Sequence, residues 1–368
     1  MLSAVKKPSV GSAISVLCLF MFVLLSGNAE IAGEHVTRGM RICAETLIPS
    51  LFPFMVISEL LVRSGACEPI SRLMKKPMHS LFGVSGECAT ALLLGIICGF
   101  PVGAKTAAAL YSRGSISRQD CESLLGFCNF PSAPFMIFAV GHGMFGSGKI
   151  GIFLYCLNLF SGLICGLVFR SKTDNKDIVK TKYPVGVKDS ISSIFSSSVV
   201  SAAYSVISVC AFVTFFTCAI GTFSSILGTE FPSPFRAILF SFFELTSGCA
   251  ACASVGNARL ALILAAAASG WSGLSVFLQI CSLTRTEGTE ISLAPYLKSK
   301  LLSAVLTATG AVLFTYLFSS LTEEVSSVKD AFSAVISYPT NFTVGANVIF
   351  VFASIICLYK LLDIKRKI

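Results

Sequence analysis

The chain has 368 residues, of which 54% are hydrophobic and only 13% are charged, and its mean hydropathy is +0.81. Soluble proteins average about 25% charged residues, so this composition excludes an ordinary soluble domain and predicts a polytopic membrane protein. The net charge of +9 does not indicate a nucleic-acid partner, because most lysines and arginines flank apolar spans, as the positive-inside rule demands. Among the 15 cysteines, Cys249 and Cys252 come nearest to a zinc-type spacing, but no second pair or histidine cluster follows them, so we expect neither a metal nor a cofactor.

Apolar segments long enough for a bilayer crossing follow one another along the chain. The first, at 10–26, follows Lys6 and Lys7 and also resembles a signal peptide, but the many spans downstream favour an uncleaved helix. Further crossings are predicted at 43–62, 88–109, 149–169, 191–222, 236–254, 296–319 and 343–362. These segments predict an all-α polytopic membrane protein with about eight crossings.

Two more apolar segments, 121–140 and 258–281, are interrupted by polar and helix-breaking residues. We expect each to be a re-entrant hairpin that enters and leaves the bilayer on one side. Residues 66–82 are short and basic and are predicted to lie at the membrane interface. With both termini in the cytoplasm, 20 of the 28 lysines and arginines are predicted to be cytoplasmic, Lys298 and Lys300 among them, and Arg113 and Arg118 are the only pair that fits the rule poorly.

This topology predicts two repeats of opposite orientation. Residues 43–170 form the first repeat and residues 191–319 the second, each with three crossings and one hairpin, and the polar cytoplasmic linker 171–190 joins them. Residues 1–42 hold the first transmembrane helix and an outer loop, whereas 320–368 hold an outer loop, the last transmembrane helix and a basic cytoplasmic tail. The inverted arrangement is typical of secondary transporters.

Four interruptions lie in corresponding places of the two halves. In the first half they read Gly99-Phe100-Pro101-Val102-Gly103-Ala104-Lys105 and Asn129-Phe130-Pro131-Ser132-Ala133-Pro134. In the second half they read Glu244-Leu245-Thr246-Ser247-Gly248 and Gly270-Trp271-Ser272-Gly273-Leu274-Ser275. Lipid cannot satisfy free backbone groups, so paired interruptions of this kind point to a transporter's substrate site. The candidate substrate-binding residues are Gly99, Pro101, Gly103, Lys105, Asn129, Ser132, Glu244, Thr246, Ser247, Ser272, Ser275 and Gln279.

Charged residues at membrane depth are the sharpest of these candidates. A lysine there costs about 2.5–3.5 kcal/mol on insertion scales, so Lys105 is predicted to bind the anionic group of a substrate. The alternatives are a lysine that snorkels to the interface or pairs with a structural carboxylate. Glu45, Glu59 and Glu244 are the intramembrane carboxylates, and Glu244 is the one expected at the site, where it would pair with Lys105, coordinate a cation or exchange a proton. The sequence leaves open whether Lys105 pairs with Glu244 or with substrate.

The interruptions also carry a family resemblance. Together with Leu47-Ile48-Pro49-Ser50-Leu51-Phe52-Pro53-Phe54 upstream, they resemble the YlbJ family of sporulation integral membrane proteins over residues 35–320. That family belongs to a group with nucleoside-recognition, or Gate, domains, which is similar to concentrative nucleoside transporters. The resemblance implies re-entrant hairpins and unwound helices around a central site. It also implies a role in spore formation, with movement of dipicolinic acid across the outer forespore membrane. Phe130-Pro131 departs from the family pattern, where small polar residues are frequent.

The sequence therefore predicts a membrane transporter that moves a small anion, dipicolinate by resemblance, or a nucleoside, by alternating access. A second hypothesis is a structural membrane protein of sporulation that transports nothing. An intramembrane enzyme is disfavoured, because no nucleophile–base pair or metal triad stands out. The expected partners are the small solute and the lipid bilayer, without nucleic acid. The oligomeric state, the coupling ion and the direction of transport stay open.

Overall fold

A computed structural model describes residues 10–64, 68–112, 114–171, 190–226, 233–286 and 291–317, and within these ranges every regular element is a helix. The helices are α1 (Val10–Gly27), α2 (Ala29–Ile42), α3 (Ile48–Arg63), α4 (Glu68–Pro77), α5 (Cys88–Cys98), α6 (Val102–Ser112), α7 (Arg118–Phe127), α8 (Gly148–Val168), α9 (Ile191–Ile226), α10 (Ser233–Phe243), α11 (Leu245–Ala253), α12 (Ala258–Trp271), α13 (Gly273–Thr286) and α14 (Ala294–Leu317). Stretches of π-helix lie at Cys43–Leu47, Met78–Phe82 and Phe135–Met144.

Within the described residues, four helical stretches are long and apolar enough to cross a membrane, which confirms the all-α membrane class. They are Gly148–Val168, Ile191–Ser225, Ala258–Ser282 and Ala294–Leu317. Shorter apolar helices occur at Cys18–Gly27, Leu51–Leu61, Cys88–Cys98, Phe135–Met144 and Ser233–Phe243. The predicted last crossing at 343–362 and most of the linker 171–190 lie outside the described residues.

Residues 29–42, expected as part of an outer loop, form the amphipathic helix α2 instead. Its buried positions include Ala32 and Gly39, and Gly39 lies directly against Thr214 of α9. Through the π-helical stretch Cys43–Leu47, α2 continues into α3, and both pack along α9. The prediction of a loop was wrong because α2 is amphipathic. Its polar face made the segment look like a loop, and its buried face consists of small residues that give little hydrophobic signal in the sequence.

The segments that fold back on themselves are not the two that were expected. Helices α5 and α6 pack side by side around residues 99–101, and a Cβ at Gly103 would lie 3.1 Å from the Cα of Gly95. Helices α10 and α11 likewise pack together around Glu244, with Gly248 directly against Ser241. We call these two units hairpin 1 (88–112) and hairpin 2 (233–253). Glycine allows this close approach because no side chain separates the two helix backbones.

The expected hairpins at 121–140 and 258–281 are instead helices with a break. In the first, α7 ends at Phe127 and helical structure resumes at residue 133, leading into the π-helix Phe135–Met144. In the second, Ser272 alone leaves the helix, with φ of 72°, between α12 and α13. The two parts of each broken helix do not pack side by side as those of the hairpins do. We call these two units broken helix 1 (118–144) and broken helix 2 (258–286).

The two halves therefore contain the same succession of elements. In each, a hairpin precedes a broken helix and an unbroken apolar helix follows, α8 in the first half and α14 in the second. Helix α14 packs along α12, α8 and α7, so it joins the two halves. Two hydrophobic clusters fill the interior, and the breaks of all four interrupted units lie among them.

The close packing around Gly103 of hairpin 1 generates a stability prediction. A Cβ at Gly103 would collide with the carbonyl oxygen of Cys128, so Gly103→Ala is expected to cost about 1–3 kcal/mol of stability, as overpacking does. Gly148 has nothing within 4 Å of the position of a Cβ, so Gly148→Ala is the matched control and should leave stability nearly unchanged. Melting temperatures of the purified variants in detergent check this, and equal values for the two variants would contradict the packing.

Candidate functional site: four helix breaks around a cavity

In the first half, the tip of hairpin 1 is bonded to the break in broken helix 1. The amide of Phe100 donates a 2.8 Å hydrogen bond to the carbonyl of Phe130. Gly99 has φ of 73°, and a Cβ there would lie 2.7 Å from the Cα of Ser132. Glycine is therefore required at position 99 both for its backbone conformation and for the contact. The two interruptions of the first half thus form a backbone hydrogen bond with each other and pack closely together.

In the second half, the tip of hairpin 2 lies against the break in broken helix 2. A Cβ on Gly273 would lie 3.2 Å from the Cα of Glu244 and 3.1 Å from the amide nitrogen of Leu245. The indole nitrogen of Trp271 donates a 2.9 Å hydrogen bond to the carbonyl of Phe242, and their rings stack with centroids 5.7 Å apart. The contact between a hairpin tip and a helix break therefore recurs in the second half. There it is made by close backbone packing and by the side chain of Trp271 rather than by a backbone hydrogen bond.

A small cavity lies where the four interruptions converge. Its polar lining consists of Ser132, Glu244, Thr246, Ser275 and Gln279, and its apolar walls include Phe100 together with residues of α9 and the start of α3. It has about 30 Å³ of space for the centres of water-sized molecules, which is room for about two waters. Each interruption contributes to the lining at its break or in the following turn. The arrangement is a polar site enclosed by apolar helices.

Glu244 is fully enclosed at this site and caps helix α11. It is 1% exposed, and its two carboxylate oxygens accept hydrogen bonds from the amides of Thr246 (2.8 Å) and Ser247 (2.6 Å). The hydroxyl of Ser247 in turn bonds Thr217 of α9 at 2.8 Å. The positive end of the α11 dipole is thus already met by the protein's own carboxylate. A substrate anion therefore has no vacancy at the first turn of α11.

Two polar side chains in the cavity lining each have a buried oxygen atom that forms no hydrogen bond with the described residues. The hydroxyl of Ser275 is completely buried, Gln279 is 3% exposed, and neither Ser275 Oγ nor Gln279 Oε1 is bonded within the described part of the chain. The side-chain oxygen of Asn129, beside the cavity, is also unpartnered, although its amide nitrogen donates to the carbonyl of Leu125 at 2.7 Å. Buried polar atoms are rarely left this way, so these atoms are available to a ligand.

Lys105 lies elsewhere than its predicted role requires. Its ammonium donates to Oε1 of Glu59 at 2.7 Å and to the hydroxyl of Ser201 at 2.5 Å, and Ser201 also bonds Glu59 at 2.9 Å. Arg63 adds a second ion pair to Glu59 at 3.3 Å. Lys105 therefore pairs with Glu59 rather than with Glu244, and it fastens α6 of hairpin 1 to α3 and α9. It does not line the cavity.

The remaining sequence candidates divide into lining and supporting residues. Ser132, Glu244, Thr246, Ser275 and Gln279 line the cavity directly. The others, which shape the breaks or hold them in place, are Gly99, Pro101, Gly103, Asn129, Ser247 and Ser272. No three potential metal-ligating side chains of His, Cys, Asp or Glu come together among the described residues. The cavity therefore presents hydroxyl, amide and carboxylate groups.

Sequence reasoning missed Lys300. It was counted with the cytoplasmic basic residues near Lys298, but it is 5% exposed in α14 and bonds both broken helices. Its Nζ donates to the carbonyl of Asn129 at 2.6 Å and to the hydroxyl of Ser272 at 3.0 Å. The available signal was its position inside a segment that was itself predicted to span the membrane.

The ion pair of hairpin 1 generates a coupling prediction. Lys105→Met and Glu59→Gln each remove one partner and leave the other charge partly buried, so each alone should destabilise the protein. The double variant should lose less than the sum, with a coupling energy of about 0.5–3 kcal/mol. A double-mutant cycle of unfolding free energies in detergent measures this value. Strict additivity of the two losses would contradict the contact.

Comparison with known proteins agrees with this geometry. Residues 44–155, which include hairpin 1 and broken helix 1, match the Gate family, described as nucleoside recognition. The chain is also 26% identical over 330 residues to the sporulation integral membrane protein YlbJ of Bacillus subtilis (strain 168), a similarity that covers 80% of each chain. No solved structure matches it. Residues 44–155 are thus similar to a Gate domain, and the chain over most of its length is similar to a sporulation integral membrane protein.

Proposed function

We propose that this protein transports a small anionic solute across a membrane by alternating access. The observation that carries the proposal is the cavity where two hairpin tips and two broken helices converge. Transporters build their substrate sites in this way, from discontinuous helices of two repeats. The repeated order of hairpin, broken helix and unbroken helix supports two inverted repeats, one of which would move against the other.

The size of the cavity supports a mechanism with at least two states. Dipicolinate is a planar ring with two carboxylates and is several times larger than the two waters that fit here. Binding of dipicolinate therefore requires the walls of the cavity to separate. A rigid channel would not need such a movement. In the proposed cycle, a substrate enters when the two halves part on one side.

The charges around the cavity support an anion bound on one side of it. Glu244 already occupies the first turn of α11, so a substrate carboxylate would avoid that side. The first turn of α13, with its unpartnered Ser275, faces the cavity from the other interruption of the second half. Glu244 is then the group that would exchange a proton or hold a coupling cation. We infer dipicolinate as the solute, and the outer forespore membrane as the location, from the relationship to YlbJ.

A nucleoside is the second candidate substrate. Hydroxyl and amide groups such as Ser132, Thr246 and Gln279 suit the sugar and base of an uncharged ligand, and the Gate family is described by nucleoside recognition. A structural protein without transport would have no use for unpartnered polar atoms around a cavity, because leaving them buried costs free energy.

Uptake into proteoliposomes tests the proposed function. We expect labelled dipicolinate to accumulate in vesicles that contain the protein, whereas labelled uridine does not. Uptake of uridine alone would move the assignment to nucleosides. If neither solute moves with correctly folded protein, transport of these two classes is ruled out. Protein-free vesicles serve as the blank.

The cavity lining generates a second transport prediction. Gln279→Leu and Ser275→Ala remove unpartnered polar atoms without removing an existing bond, so folding should be preserved. Each is expected to weaken substrate affinity by about 5- to 20-fold, as loss of one buried hydrogen bond does. Ser198→Ala is the matched control, because the Ser198 hydroxyl is also buried and unpartnered but does not line the cavity. Unchanged apparent affinity in both cavity variants would contradict the site.

A further inference from the structure

Lys300 joins the broken helices of the two halves. It lies in the second turn of α14, and its ammonium donates to the carbonyl of Asn129 in broken helix 1 and to the hydroxyl of Ser272 in broken helix 2. Asn129 and Ser272 each belong to an interruption of a helix, and the lysine bonds a backbone carbonyl at the first and a side-chain hydroxyl at the second. Its contacts lie at the interface that alternating access would open.

The charge of Lys300 is not neutralised in the described part of the chain. An ammonium has three donors, and here two of them reach neutral oxygens. The ion pairs among the described residues are Glu59 with Arg63 and Lys105, and Arg118 with Glu122, so none includes Lys300. A buried charge without a counterion is costly. The position therefore favours an anion as its missing partner.

Two residues with unpartnered hydroxyls are connected to this lysine, one through its ring and one through its position in the chain after Ser272. Tyr296 is 1% exposed, its hydroxyl has no partner in the described residues, and its ring centroid lies 5.8 Å from Nζ of Lys300. Ser275 follows Ser272 in the first turn of α13 and lines the cavity. A hydroxyl can donate a hydrogen bond as well as accept one. An ammonium with neighbouring hydroxyl donors is the chemistry that suits a carboxylate.

We propose that Lys300 is the group that recognises a carboxylate of the transported solute. The inference rests on the proposed function and names the ligand chemistry and the residue, in place of Lys105, which Glu59 already neutralises. Lys300 does not itself line the cavity, so the carboxylate accepts the third N–H of Lys300 once separation of the halves has exposed it. As an ionised acceptor it also competes with the Asn129 carbonyl and the Ser272 hydroxyl, since charge-assisted bonds are roughly twice as strong as neutral ones. Solute binding thereby loosens the link between the two broken helices.

Equilibrium binding to the full-length protein in neutral-lipid nanodiscs tests this role without requiring transport. The probes are dipicolinate and pyridine-2,6-dicarboxamide, its uncharged counterpart of similar shape. The wild type should bind dipicolinate and be stabilised by it against heating, and the dicarboxamide should bind far more weakly. Lys300→Met should weaken dipicolinate binding at least about 30-fold, as expected for removal of a buried charge partner. Lys300→Arg should retain part of the affinity.

Matched variants separate this role from folding and from the rival lysine. Lys298 is exposed on the same helix, so Lys298→Met should bind like the wild type, and so should Lys105→Met. If Lys300→Met does not fold, Tyr296→Phe keeps the ring and removes only the hydroxyl, and we expect it to weaken dipicolinate binding about 5-fold or more. Undiminished binding in the Lys300 variant, or in Tyr296→Phe where that substitutes for it, would overturn the inference.

The outcomes distinguish this inference from the proposed function. Binding that is lost in Lys300→Met, without any uptake into vesicles, would support the carboxylate site and reject transport. Uptake of dipicolinate that survives in Lys300→Met would support transport and reject the role of Lys300. A wild-type protein that binds the dicarboxamide as well as it binds dipicolinate would also reject that role, because the site would then read shape rather than charge.

Discussion

The structure depends on one constraint, which is that backbone released from a helix inside an apolar interior must find partners within the protein. The chain meets it by bringing interruptions together. The amide of Phe100 bonds the carbonyl of Phe130, and the carbonyl of Asn129 receives Lys300. The carboxylate of Glu244 accepts hydrogen bonds from the two amides, of Thr246 and Ser247, that are left free at the start of α11. Because each break needs another group, the four breaks converge, and a polar cavity is the consequence.

The same constraint explains why three buried or partly buried charges have different partners. Lys105, 28% exposed at its side chain, has a carboxylate and a hydroxyl. Glu244 has two amides and the helix dipole, a substitute for a cation that is weaker but fixed in direction. Lys300 has only neutral oxygens. The charge of Lys105 is therefore neutralised by an ion pair, that of Glu244 is stabilised by a helix end, and that of Lys300 has no counterion among the described residues. A ligand is expected to bind at Lys300, where the counterion is missing.

The sequence was sufficient to find the breaks but not to decide how the chain passes through them. Glycine, proline and serine clusters mark all four interruptions, since each weakens the helix locally. Whether a segment folds back depends on contacts such as Gly95 with Gly103, and on where the helix resumes, as after Ser272. Glu59 and Lys105 are separated by 46 residues, so nothing local pairs them. Lys300 resembled an exposed basic residue at the membrane surface because Lys298, two residues before it, is exposed.

The pattern of bonds also limits what can move in the proposed cycle. Each hairpin tip is held to the broken helix of its own half by backbone bonds or close backbone packing, as between Phe100 and Phe130, and no substrate group replaces such contacts easily. The bond of Lys300 to Asn129 crosses between the halves, whereas its bond to Ser272 lies within the second half, and both involve a side chain that an anion can engage. In the proposed cycle, a substrate carboxylate would compensate at Lys300 for the bond to Asn129 that separation of the halves breaks. Each hairpin would then move with its own broken helix as one body, and the cavity would open between the two bodies.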